Sequence, residues 1–294
     1  MSMRIQAIAP GRKSPPADRP VQASIMQRIR SDSALMLGLL LCLVLLIAVC
    51  LGPFLDTQDP QEMTAHVLQS PSPMHWLGTD SVGRDVLARL LLGARSSLAV
   101  AIAATVAALI IGVTMGIAAA YLGGWVDWAL MRIIDIVLSI PPLLLAIAVL
   151  AAIGPSTPTL LLVLVMTHLP QTVRVLRVSA LQVGQRAFVD SAKISRVPAV
   201  RIMLRHVLPN VRGMVIVQAS IMVAHMLLLE TILSFLGLGV QPPSPSLGFM
   251  VSEGRQWMEL APWVVLSPGA VIIFSVAAFT IAGHGLDRML SSQR

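Results

Sequence analysis

The chain has 294 residues, 56% of them hydrophobic and only 12% charged, with a net charge of +7. A soluble domain is nearer about one quarter charged, so too few polar side chains remain to cover a globule of this size and part of the solvent must be lipid. The positive charge does not point to nucleic acid, which needs a basic face on a soluble domain, because here the bases lie between apolar runs.

Residues 1–33, beginning "MSMRIQAIAPGRKSPPADRP", read as a polar, Pro-rich cytoplasmic tail. The apolar run after it starts too far along the chain for a signal peptide and is long enough to span. It predicts a first helix over 34–54, ended by Gly52-Pro53. Cys42 and Cys50 fall in that one helix, about 12 Å apart by helical rise, so they cannot form a structural disulfide and read as small apolar fillers. Cys50 loosely fits a lipoprotein cleavage site, but Val49 stands where a small residue is wanted. The first helix and the outer loop after it make up 34–95. In that loop Gly78, Gly83 and Gly93, with Asp80, Arg84 and Asp85, suggest a turn and an amphipathic surface helix capped by local ion pairs.

A second helix is expected over 97–121. The uncharged run 136–173 is too long for one span of about 20 residues, and "GPSTP" divides it, giving helices over 129–152 and 159–176. Two more follow over 212–236 and 263–284. The runs lack period-two alternation, so helices are expected rather than barrel strands. The fold class is therefore an all-α membrane protein with six transmembrane helices. Its core covers 96–287, and 288–294 form a second cytoplasmic tail.

Lysine and arginine are divided unevenly. The amino-terminal tail has six, the loop after helix 2 has Arg132, the loop 174–212 has eight, and the carboxyl end has Arg288 and Arg294. The other side has only Arg84, Arg89, Arg95 and Arg255. Seventeen against four places both termini in the cytoplasm.

Reaction motifs are missing. Lys13 and Lys193 follow Arg12 and Ala192, so no P-loop exists. There is no His-Glu-x-x-His zinc site and no Gly-x-Ser-x-Gly elbow. The six histidines show no ligand spacing, and scattered methionines read as flexible filler. The chain is not expected to be an enzyme or to hold a cofactor or metal.

The segment 186–210, "RAFVDSAKISRVPAVRIMLRHVLPN", is basic, amphipathic and interrupted by Pro198. Val197-Pro198 should separate two short helices, the second closed by Pro209-Asn210. Such a protrusion either docks a cytoplasmic protein or lies on anionic lipid. It resembles the "EAA" loop of membrane subunits of bacterial ABC importers. Asp190-Ser191-Ala192, Arg196 and Leu208-Pro209 stand where that pattern has Glu-Ala-Ala, a hinge glycine and Leu-Pro. The family seats this loop in a groove of its ATPase subunit, which implies tight surroundings for Ser191 and Ala192. Asp, Ser and Arg196 depart from the pattern, and Pro198 is expected to supply the bend.

"HWLGTDSVGRDVLARLLLGARSSL", "LMRIIDIVLSIPPLLLA" and "LSFLGLGVQPPSPSLGFMVSEGRQWM" are similar to stretches of dipeptide, oligopeptide and nickel permease subunits of the C type. The resemblance runs from about residue 34 to 290. It implies a type I ABC importer permease fold in a bacterial inner membrane. The implied partners are a second homologous permease subunit, two cytoplasmic ATPase subunits, an extracytoplasmic substrate-binding protein and membrane lipid. Small peptides are the implied cargo, with nickel complexes second. A carrier driven by an ion gradient is the rival of another class.

Three intramembrane groups are candidates for the translocation path. Asp135 either lines it or pairs with Arg132, three residues earlier. Glu230 is expected near the outer gate or in an interfacial polar contact. His225 is either a path residue or a packing histidine with one hydrogen bond.

Overall fold

The structure, a computed structural model, describes residues 32–55 and 58–291. The expected amino-terminal tail lies outside these residues up to 31, as do 292–294. The helices are α1 (Ser33–Leu55), α2 (Val86–Leu122), α3 (Gly124–Leu138), α4 (Pro142–Ile153), α5 (Thr157–Gly184), α6 (Ala187–Ile194), α7 (Ala199–Ile202), α8 (Leu208–Phe235), α9 (Leu247–Gly254) and α10 (Trp263–Ser291). No strand occurs among the described residues, apart from one isolated bridge between Thr79 and Asp85. "Outer" and "inner" below follow the asymmetry of basic residues.

Five helical stretches are long and apolar enough to cross a membrane, and α3 with α4 makes a sixth span bent by 85°. The expected single helix over 129–152 is therefore broken. Ile140 precedes Pro141 and is kept out of the helical basin, while Pro141 and Pro142 offer no amide to continue the ladder. The broken pair still crosses. Gly112 of α2 meets Thr172 of α5, and Gly116 meets Val173 and Arg177, so the two helices run parallel. The chain between them must return to the outer side.

Helix α2 begins at Val86, well before the uncharged run. Asp85 caps it, its Oδ1 accepting from the Ala88 amide at 2.8 Å. The expected surface helix is thus the first turns of α2, where Arg89 is buried and paired with Asp80 and Glu253 while Arg95 is exposed. Helix α1 continues through Gly52-Pro53 to Leu55, and α5 runs on to Gly184.

Lipid is as apolar as leucine, so helices in it are held by close approach rather than by removal from water. The glycines mark the tightest contacts. A Cβ on Gly38 would lie 2.4 Å from the Ala282 amide nitrogen, and one on Gly285 would lie 2.7 Å from Leu35 Cα. These two positions press α1 onto α10. The main core joins α2, α4, α5, α8 and α10 around Ala101, Leu150, Leu160, Leu164 and Leu227. A smaller core at the inner end contains Ile117, Val189, Ala192, Ile202 and Val207.

Candidate functional site

The inner protrusion is built on that smaller core. On α6, Val189 and Ala192 point inward, with Val189 fully buried. Asp190 and Ser191 point outward. Asp190 accepts from Lys193 Nζ at 3.2 Å, and Ser191 Oγ donates to the Ala187 carbonyl at 2.9 Å. The two small residues of the motif therefore part company: Ser191 is on the surface, and Ala192 packs against its own chain.

Helix α6 ends in paired reverse bonds. The Arg196 amide donates to Lys193 O at 3.0 Å and the Val197 amide to Ala192 O at 3.1 Å. This termination needs a left-handed residue between them, and Arg196 supplies it with φ 54°. The bend expected from Pro198 is made by Arg196. Gly237 ends α8 in the same way, with φ 78°, the Gly237 amide on Ser234 O at 3.0 Å and the Leu238 amide on Leu233 O at 2.8 Å. Pro198 instead starts α7, its carbonyl accepting from Arg201 and Ile202.

Leu208-Pro209 does not close the protrusion. A π-helical stretch, Met203–Val207, carries α7 directly into α8. Proline inside a helix removes one amide and crowds the carbonyl four residues back, and widening one turn relieves both. The outward face of the protrusion carries four large apolar side chains that sequence patterning did not single out. They are Phe188, Ile194, Val200 and Leu204, with Ile194 82% exposed. Phe188 also lies against the His206 ring, centroids 6.3 Å apart, which ties α6 to the π stretch.

Asp135 pairs with Arg174 of α5 and not with Arg132. Asp127, in the first turn of α3, pairs with Arg177 one helical turn further along α5. Two ion pairs thus hold α3 across the inner end of α5. The Asp135–Arg174 pair is half exposed, 52% on each side chain. His168, Gln171 and Arg174 follow one another at three-residue spacing, which sets them in a stripe on α5. That spacing was the available signal for Gln171 and His168. His225 of α8 is exposed and its ring lies 6.4 Å from that of His168. His168 Nδ1 sits 3.2 Å from the Leu164 carbonyl and 3.1 Å from Thr167 Oγ1.

Glu230 stands apart from that stripe. It has no exposed surface, and Ser234 Oγ donates to its Oε1 at 2.7 Å. In the single chain, Asp135 and His225 reach a surface and Glu230 does not. Among the described residues no group of three or more metal-ligating side chains occurs.

A family model described as the inner membrane component of binding-protein-dependent transport systems matches residues 108–293. The chain belongs to this family. It is 36% identical to the dipeptide transport system permease protein DppC of Alkalihalophilus pseudofirmus over 277 residues, covering 92% of this chain and 91% of the relative. The probable D,D-dipeptide transport system permease protein DdpC of Escherichia coli is 34% identical, covering 91% and 90%. The glutathione transport system permease protein GsiD of Pectobacterium atrosepticum is 38% identical over a shorter match, 74% and 72%. The permease is a multi-pass protein of the bacterial inner membrane, and its family works with a binding protein and an ATPase. An ion-coupled carrier is set aside by this membership.

Proposed function

We propose that the permease forms half of a pathway for small peptides, shared with a second, homologous permease subunit. Two cytoplasmic ATPases supply the energy, and an external binding protein delivers the cargo. The chain itself carries out no reaction. ATP binding and hydrolysis elsewhere shift which side of the pathway is open. The names of the relatives support peptides over nickel complexes.

The observation that carries the pathway reading is the half-exposed Asp135–Arg174 pair beside His168, Gln171 and His225. Ionisable groups at membrane depth face water or protein, because lipid solvates charge poorly. The face formed by α3, α5 and α8 therefore serves as the wall of the pathway. The protrusion, with its apolar tip and basic rim, serves as the ATPase contact. Asp190 and the Ser191 side present that contact, while Ala192, Arg196, Pro198, Leu208 and Pro209 shape it.

The test uses the complete transporter in proteoliposomes, with Cys42 and Cys50 replaced. A cysteine at Gln171 should react with a small water-soluble thiol reagent, and ATP should change its rate severalfold. A cysteine at Leu43, on the exposed face of α1, should stay inert. Equal, ATP-independent reactivity at both positions would remove the pathway from this face. Absence of dialanine uptake by the intact transporter would remove peptides as cargo.

A further inference from the structure

Helix α9 lies against the outer ends of α2 and α8, and it is fastened at both of its own ends. At its start the Leu247 amide donates to Ser97 Oγ of α2 at 3.2 Å. Gly248 sits so close to α8 that a Cβ there would be 2.1 Å from the Thr231 carbonyl. Gly239, in the approach to α9, would place a Cβ 1.8 Å from Ser234 Oγ. Ser234 Oγ is the group that donates to Glu230. Ser97 and Thr231 are the other hydroxyls beside that carboxyl. Glu230 Oε2 and Thr231 Oγ1 are both buried and unbonded. At the far end of α9, Glu253 accepts from Arg89 at 2.7 Å and Arg84 at 3.3 Å. Both arginines also bond Asp80 of the outer loop, each at 2.8 Å.

We propose that Glu230 is a positioning residue, the centre of a buried polar knot with Ser97, Thr231 and Ser234 on which α9 is seated, so that movement of the outer loop at Asp80 and Arg84 passes through α9 into α2 and α8. Enclosed hydroxyls and amides hold a fixed geometry only while their hydrogen-bond partners are present. No cation pairs with Glu230 among the described residues, so the site calls for a hydrogen-bonding group of this length and not for its charge. The transmitting role rests on the permease reading, in which the outer loops meet the binding protein.

Hydrogen exchange of the peptide spanning 246–258 tests this in the assembled transporter in nanodiscs. Glu230→Gln should leave exchange of α9 within twofold of wild type. Glu230→Leu should accelerate it tenfold or more, with α5 unchanged. If Glu230→Leu does not assemble, Ser234→Ala removes the donor with little change in volume and should accelerate α9 about threefold. Unchanged α9 exchange in the variant that assembles overturns the proposal. So does loss of dialanine uptake in Glu230→Gln with α9 exchange intact, since that pattern belongs to a charged wall of the pathway. If wild type itself takes up no dialanine, the cargo reading fails, and the exchange rates still decide the role of Glu230.

Discussion

Arg174 of α5 donates to Asp135 of α3 across 39 positions of sequence, and this contact decides how the broken span is held. Asp135 lies one turn from Arg132, yet the nearer arginine is exposed and does not pair with it. The distant partner wins because α3 lies across α5, anchored a second time by Asp127 and Arg177.

Removing one member of this pair should cost more than removing both. Arg174→Gln or Asp135→Asn leaves a lone charge at membrane depth, and each is expected to lower peptide uptake about tenfold. The double variant should recover much of that loss. In thermal stability of the complex the coupling should be about 1 kcal/mol or less, since both side chains are half exposed. Additive losses in uptake would show that the two charges act separately.

The left-handed backbone at Arg196 gives a direct test of the bend. Arg196→Gly should keep ATPase co-purification and stabilise the protrusion by about 1 kcal/mol, because glycine adopts this conformation without steric cost. Arg196→Val should weaken ATPase retention about tenfold, a β-branched residue being poorly suited to positive φ. Equal damage by both substitutions would mean that the guanidinium itself makes the contact.

Docking should respond to the exposed tip and not to the inward face alone. Ile194→Glu with Leu204→Asp is expected to leave insertion and pairing with the second permease intact. It should lose the ATPases at least a hundredfold in affinity, the effect of burying unpaired charge at an apolar contact. Ala192→Glu should act differently, opening the small core around Val189 and Ile202 and exposing the protrusion to protease. A double variant that retains both ATPases would make the protrusion a lipid-surface element.

Topology can be read with single cysteines in a chain lacking Cys42 and Cys50. Gln69 and Gln185 are both exposed. An impermeant thiol reagent added to spheroplasts should label the first and spare the second. The reverse pattern would invert the membrane orientation.

Asp32 offers a pH test at the inner edge. Hydrogen bonds from Arg288, and from the Leu35 and Ala34 amides, hold its carboxyl below the usual carboxylate range. The stabilisation is present above about pH 4, the unperturbed value, and is lost as pH falls through the lowered one. The Tm difference between wild type and Asp32→Asn should be small and constant from pH 7 to 5 and shrink below about 4. A difference that grows on acidification would contradict the pairing.

The spans and their order were legible in the sequence because crossing a membrane depends on local composition summed along the chain. Uncharged length, the Gly154–Pro158 break and the distribution of lysine and arginine are all properties of neighbouring residues. The quoted motifs were enough to point to the family for the same reason. What the tertiary structure decided was which way individual side chains face and whom they meet. The early start of α2 depends on Asp80 and Glu253 neutralising Arg89, and Glu253 is 164 positions away. The break in the third span follows from a local Pro-Pro pair, but only the parallel packing of α2 and α5 shows that the broken piece still crosses. Ala192 turns inward because a core assembled from α2, α5 and α8 lies beneath α6. Glu230 is enclosed because α9 folds back over α8, a contact set by glycines at 239 and 248 and a serine at 97. Composition can mark a carboxylate at membrane depth, but only packing between distant helices determines whether it meets water, an arginine or a hydroxyl.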